Sequence, residues 1–592
     1  MLGRYTTGPF CGGAEDSRPG HGCRTNPVRP RGRGTIPPVK RLPLAVAVGA
    51  LLVAVAGSAL GWGAPSSGAS PSASTAGVAA ASPSPAPVPV GSSAQEPSGP
   101  APSAAGGGSP SPGPSGTPAP TITAAIPIVP VAQFRTTVQS IGRDDVRAAI
   151  AGTSPTWQGL ELVASEADAT LAGLGVDRPA GDAGLVLAPD AATLTKDLAK
   201  NRKRLGVLRA DDVGPGVRAL GWGGKSLFGV DAVKTAADWT LTAQLPQPAD
   251  VPVFDPKETW TLVAGGDIML DRGVAQTLKI RGKGADFPFN GGTADITSRY
   301  CCSSFGWELP RTARTGGAGA MRHLLTKADL AIANFENPAP NAFRYHTSGT
   351  VFSADPKLIA GLADAGLDWV GIANNHIRDA GGVGILQTIA NLKAHGIASS
   401  GAGTNLAAAR KPSILTADGV KVAFLAYDTI AKAYAAGPDR AGSAQMSVSA
   451  LKKDVAAARK AGAEVVIVFP HWGTEYDPTP FAGQQKLAHA AIDAGADLVI
   501  GNHAHWAGAM EVYDGSPIWY ALGNFVFDQT WSEPTMEGIT LELTFHGPKL
   551  VQARMRPHVI LDKAQPNFLD PLGDGKVVLS QVFGASQGLL PW

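Results

Sequence analysis

Cysteine is scarce. The four residues in 592, at positions 11, 23, 301 and 302, do not make a disulfide framework. The adjacent pair Cys301–Cys302 is not expected to bond internally, because ordinary disulfide geometry is strained at that separation. Net charge is lacking too. A formal +2 over the whole chain creates no field of the kind that gathers nucleic acid, so no nucleic-acid partner is expected. The charge that exists is unevenly spread. Residues 1–41 hold seven Arg and one Lys against Glu15 and Asp16, a balance of +6 that leaves about −4 for the remainder. Two stretches are nearly free of charge: 42–64 contains none, and 65–129 contains only Glu96.

The first of these stretches, LPLAVAVGALLVAVAGSALGWGA, matches the length of roughly 20 apolar residues that spans a bilayer as a helix. The basic residues near it lie on its N-terminal side and end at Lys40–Arg41. The positive-inside rule then gives a basic cytoplasmic tail (1–41), a single-pass signal anchor (42–64) and extracytoplasmic C-terminal domains at the cell membrane. The alternative is a cleaved signal peptide, for which a 41-residue basic region is long. The second stretch, built of Pro, Ala, Ser and Gly, cannot bury enough apolar surface to fold. It reads as a disordered stalk over 65–132.

Two folded regions follow. Residues 133–250 regain charge and periodicity in a strand–helix–strand pattern. They hold no convergent set of acids, His or Cys, which points to an accessory α/β module. Residues 257–561 repeat one grammar in ADAGLDWVGIANNH, KAGAEVVIVFPHWG and DAGADLVIGNHAH: a helix closed by glycine, an acidic residue, a β-branched run, then polar side chains. Helices are expected over 356–365, 385–395, 448–461 and 483–494. Alternating β and α predicts a mostly parallel sheet, with ligands at the carboxyl ends of its strands. SPIWYALGNFVF and GITLELTFHG alternate like antiparallel strands and suggest a second sheet beside the first. Residues 562–592 read as a C-terminal tail.

Five strand ends carry donors. Asp267 follows WTLVAGG and offers a hard oxygen suited to Mn, Fe, Zn or Mg, or else caps the next turn. Glu336 follows ADLAIANF, where a carboxylate can bridge two cations about 3.5–4 Å apart; Asn334 reads as a turn residue. Asn375 and His376 follow DWVGIAN, giving a neutral oxygen donor and a histidine free for proton transfer, or else a polar turn. Asp379 is placed to orient His376. His471 follows VVIVFP, and His503 and His505 follow LVIG. Imidazoles are common transition-metal donors, although one His alone is more often structural. Further on, Gly523–Asn524 suits a close turn and Asp528 is a candidate support for the ligands, or else the segment is a plain hairpin.

GDIML, NFEN, NNH, HWGTEY, GNHAHW and LGNFVFDQ, in that order, resemble the CapA family of poly-γ-glutamate capsule synthesis proteins, within the calcineurin-like metallophosphoesterase superfamily. The resemblance covers about 300 residues and implies an αββα sandwich head over 257–561. It implies Asp267, Glu336, Asn375, His471, His503 and His505 as ligands of one or two divalent ions (Mn, Fe or Zn). It also implies His376 as proton donor. The superfamily's Asp-x-His would put a histidine at 269, where this chain has Met269. Three functions are compatible with these residues. One is a CapA-like role in synthesis, export or attachment of an anionic polymer, with capsule-synthesis membrane proteins as partners. A second is an extracytoplasmic phosphoesterase. The third is a non-catalytic assembly head.

Overall fold

The computed structural model describes residues 120–589. The basic tail, the apolar run at 42–64 and the stalk up to 119 lie outside the described residues. Among those described, no helix is long and apolar enough to cross a membrane.

The N-terminal module is built on Thr121–Gln133, a 13-residue strand. It pairs antiparallel with Leu205–Arg209, Val217–Ala219 and Thr242–Pro248. Leu160–Val163 and Leu185–Ala188 extend the sheet beyond Leu205–Arg209. Ile126, Ile128, Val129 and Val131 from the long strand enter the module's core. This corrects the stalk boundary: residues 121–132 are sheet. Pro127 and Pro130 make the segment look like stalk composition, yet the strand survives because the β-branched residues around them are buried.

The head has two sheets. One of ten strands places Thr259–Ile268 between Glu537–His546 and Leu330–Phe335, followed by Trp369–Gly371 and Ala398–Ser400. One of six strands runs through Val420–Asp428, Val465–His471, Leu498–Ile500 and Ser516–Trp519. The sheets face each other across an apolar layer in which Trp369 stacks on Phe424 at 4.8 Å and meets Phe469 edge-on at 5.2 Å. Helices Ala320–Lys327, Ile359–Asp364 and Gly381–Ala394 cover the outer face of the first sheet, and Val448–Lys460 and Ala482–Asp493 that of the second. The result is four layers, helix–sheet–sheet–helix.

Three sequence expectations need correction. The five donor-bearing strands do not share one sheet: Thr259–Ile268, Leu330–Phe335 and Trp369–Gly371 lie in the first, and Val465–His471 and Leu498–Ile500 in the second. Local patterning fixes a buried parallel strand but not the sheet it joins. Residues 562–592 are no tail up to Ala585. Gln565–Phe568 pairs with Lys549–Leu561, and helix Gly575–Ala585 buries Val578 and Val582 in the layer between the sheets. Cys301 and Cys302, at the tip of the Thr293–Tyr300/Leu309–Gly316 hairpin, are placed as a disulfide across a cis peptide, against the expectation that neighbours stay unpaired.

His558 ties sheet to site. Its Nε2 donates to the Asn524 carbonyl (2.9 Å), which can only accept, so Nδ1 is left to accept from the Thr540 hydroxyl (3.1 Å). Both bonds suit the neutral ring. Burial pushes its pKa from 6.5 down to about 4. The unfolded chain therefore takes up this proton first. The stabilisation is complete above pH 6.5 and is lost as pH falls toward 4. Urea unfolding of wild type and His558→Gln across this window should show the wild type losing about 3 kcal/mol relative to the variant. Parallel pH profiles would refute the assignment.

Candidate metal centre

Asp267 is the ninth residue of Thr259–Ile268, and its two register neighbours are Asn334 and Asn524. The strand approaches its neighbour closely here: a Cβ on Gly266 would lie 1.9 Å from the Gly523 carbonyl oxygen, so only glycine fits. Asp267 is fully buried. Its Oδ1 accepts from Asn334 Nδ2 (2.7 Å), and its Oδ2 accepts from His503 N (3.3 Å) and lies 3.3 Å from His505 Nδ1.

Glu336 stands one residue past Leu330–Phe335, also fully buried. Its Oε1 is 3.4 Å from His471 Nε2 and 3.8 Å from His505 Nε2. Neither carboxylate oxygen has a hydrogen-bond partner among the described residues. His471 closes Val465–His471, and its Nε2 lies 2.8 Å from Asn375 Oδ1 and 3.0 Å from His503 Nδ1. His503 and His505 both have positive φ, 91° and 57°. That backbone strain costs on the order of 1–3 kcal/mol each and is characteristic of functional turns.

The six expected donors therefore meet. Two groups have candidate ligand atoms within 4.8 Å of one another: Glu336, His471 and His503; and Asp267, Glu336 and His505. Glu336 belongs to both. Asn375 joins the first through His471. A divalent ion fits this set: the dehydrated Glu336 carboxylate has no hydrogen-bond partner on either oxygen among the described residues and only imidazole nitrogens at 3.4 and 3.8 Å, and mixed imidazole and oxygen donors suit Mn, Fe or Zn. Met269 is in neither group. It is buried in the core on the helical side, with its sulfur accepting from Asp271 N (3.0 Å).

The local charges shift one another. Burial raises the Asp267 carboxyl, but His505, His471 and Asn334 hold it below its usual range. Burial lowers His505, and Glu336 and Asp267 more than reverse this, to about 9. Burial, with His471, His505 and His376 nearby, pushes His503 well below its ordinary value.

His376 sits at the edge of the set. Its Nδ1 is 2.9 Å from Asp379 Oδ2, and its ring lies 4.0 Å from that of Phe352. Asp379 Oδ2 is fixed in turn by the Phe352 N–H (2.8 Å).

Some contributors escaped the sequence reading. Asn334 is no mere turn residue: its amide lies between Asp267 and His471, 3.1 Å from His471 Nδ1. Asn524 Oδ1 is 2.9 Å from His505 Nδ1. Asp528 does not touch the ligands but pairs with Arg272 and accepts from Gly273 N (2.8 Å). An aromatic rim also went unread. The Tyr476 ring centroid lies 6.0 Å from that of His505 and 4.7 Å from that of Trp531, and Trp506 meets Trp307 at 5.8 Å. The adjacency of Tyr476 to Glu475 and of Trp506 to His505 was the available signal.

Facing sheets that bring Asp, Glu, Asn and three His from five strand ends to one buried pocket define a protein of the calcineurin-like metallophosphoesterase superfamily. Within it, the chain belongs to the bacterial capsule synthesis protein family PGA_cap, whose model matches residues 261–529. The chain is 34% identical over 230 residues to the capsule biosynthesis protein CapA of Bacillus anthracis, covering 37% of this chain and 56% of that one. It is 31% identical over 295 residues to a probable polyglutamine synthesis accessory protein of Mycobacterium tuberculosis, covering 45% of this chain and 74% of the relative. The chain spans about half the length of the Bacillus relatives it matches, 56% and 55%. A solved 5'-nucleotidase precursor from Thermus thermophilus aligns over 55% of this chain and 58% of its own at 14% identity. The TM-score of that alignment is 0.30.

Glu336 belongs to both donor groups, so the ion's stabilising effect should run through it. Added Mn²⁺ should raise the melting temperature of wild type by on the order of 3 °C and that of Glu336→Gln by much less. An equal shift in both proteins would show that Glu336 does not hold the ion.

Proposed function

We propose that this chain is a CapA-like accessory protein that acts outside the cell in making, exporting or attaching an anionic capsule polymer of the poly-γ-glutamate type. Family membership supports the capsule role, and the printed name of the Bacillus subtilis relative, a PGA biosynthesis protein, supports the polymer class. The apolar run at 42–64, flanked by Lys40–Arg41, supports a single-pass anchor and an extracytoplasmic head. Capsule-synthesis membrane proteins are the partners this reading implies.

One observation carries the chemistry: Glu336 presents two orphaned carboxylate oxygens between two histidine-containing groups. One or two divalent ions of the Mn, Fe or Zn type would be held by Glu336, His471, His503 and Asn375, and by Asp267, Glu336 and His505. Such an ion, when bound, supplies Lewis acidity toward a carboxylate, carbonyl or phosphoryl oxygen. The chain's own residues do the rest. Asn334 and Asn524 orient Asp267 and His505. Tyr476, Trp506 and Trp531 form an aromatic cluster beside His505.

Elemental analysis of the purified full chain should give about one or two divalent ions per chain, and His503→Ala should lose at least half. A deletion strain should lose polymer and regain it with wild type but not with Glu336→Gln. Full rescue by Glu336→Gln would leave the head a non-catalytic assembly surface and overturn the metal-dependent role.

The His376–Asp379 pair favours a second reading, an extracytoplasmic metal-dependent phosphoesterase. With Nδ1–H given to Asp379, Nε2 of His376 is the atom left to pass a proton to a leaving oxygen. On this reading, His376→Asn lowers phosphodiester turnover by roughly 10²–10⁴ with metal content unchanged. No turnover with any divalent ion removes it.

A further inference from the structure

Away from the donor set, a cavity of about 470 Å³ opens where the N-terminal module meets the head. It shares no residue with the groups around Glu336. The module contributes Arg218, and the head contributes Arg554 and Arg556. Beside them stands one carboxylate, Glu542, fully buried. Its oxygens are already engaged: Oε2 accepts from Arg556 Nε (2.6 Å) and Oε1 from Val230 N (2.9 Å), with Arg554 Nη1 at 3.8 Å.

Three guanidiniums therefore crowd one buried anion, with Asp231 also acting on Arg554 from the exposed side. Arg218 comes off worst. It is 8% exposed, and its Nε and Nη1, like Arg554 Nε, have no hydrogen-bond partner among the described residues. Burial and the facing Arg554 push its pKa down to about 9, Glu542 opposing, which still leaves it charged at neutral pH. A buried planar fork with unmatched N–H groups is the usual receptor for a carboxylate. The other walls select further. Val230, Leu324, Met555 and Phe568 are apolar and suit a hydrocarbon body. Asp231, Asp295 and Asp570 also line the cavity and are exposed; they disfavour a polyanion.

We propose that this cavity binds an organic monocarboxylate, with its head on Arg218 and Arg554 and its apolar body along Val230, Leu324, Met555 and Phe568. Such a ligand touches both the module and the head, so its binding stabilises their junction.

The test uses the full chain with hexanoate, hexanamide and inorganic phosphate as probes, read by thermal melting and calorimetry. Hexanoate should give a saturable rise of about 3 °C; hexanamide and phosphate should give none. Arg218→Met should weaken hexanoate binding at least tenfold. Met555→Trp, which fills the cavity and leaves every charge in place, should block it as well, and serves if the first variant does not fold. His503→Ala should bind hexanoate as wild type does, which separates this site from the metal centre. No hexanoate effect on wild type, an equal effect of hexanamide or phosphate, or undiminished binding by Arg218→Met or Met555→Trp would overturn the proposal.

Discussion

A single desolvated carboxylate organises the head. Glu336 lies at full burial between His471 and His505, with imidazole nitrogens 3.4 and 3.8 Å from its Oε1 and no hydrogen-bond partner on either oxygen among the described residues. Removing a charge from water is among the most expensive acts in folding unless counter-charge is supplied. The surrounding side chains are arranged in answer to it: imidazoles on two sides, an amide oxygen behind one of them, and a second carboxylate held by Asn334. Take the charge away and the positive-φ backbone at His503 and His505 loses its reason, since those turns serve to point both rings at one spot.

The donors were legible because each follows a short apolar run that could only be a buried strand. Asp267, Glu336, Asn375, His471, His503 and His505 all stand at or just past such a run. Their supports were not legible in the same way. Asn334 matters because the register sets it opposite Asp267, and Asn524 matters for the same reason on the other side. Register is a property of two strands together and leaves no mark on either alone. The same limit hid the division of strands between the sheets.

Composition misled at both ends of the folded region. Residues 121–132 share Pro and Ala with the stalk, and the buried apolar run from Ile126 to Val131 is interrupted by two prolines. The helix Gly575–Ala585 follows a Gly- and Asp-rich turn and reads as a tail until its buried face is seen against the sheets. The arginine-lined cavity is further removed from local sequence. Arg218 and Arg554 are 336 positions apart by number (554 less 218), and only the packing of the module on the head brings them together.

The division of donor strands between two sheets makes the pocket a gauge of interlayer fit. Each sheet can complete its own hydrogen-bond ladder in isolation, yet neither holds more than part of the donor set. The spacing from Glu336 to His471 is fixed by how Trp369 seats against Phe424 and Phe469. A cation bridging that seam would act as a rivet between the layers, and slippage of the aromatic contact would be felt first as lost affinity for the ion, before any strand had frayed.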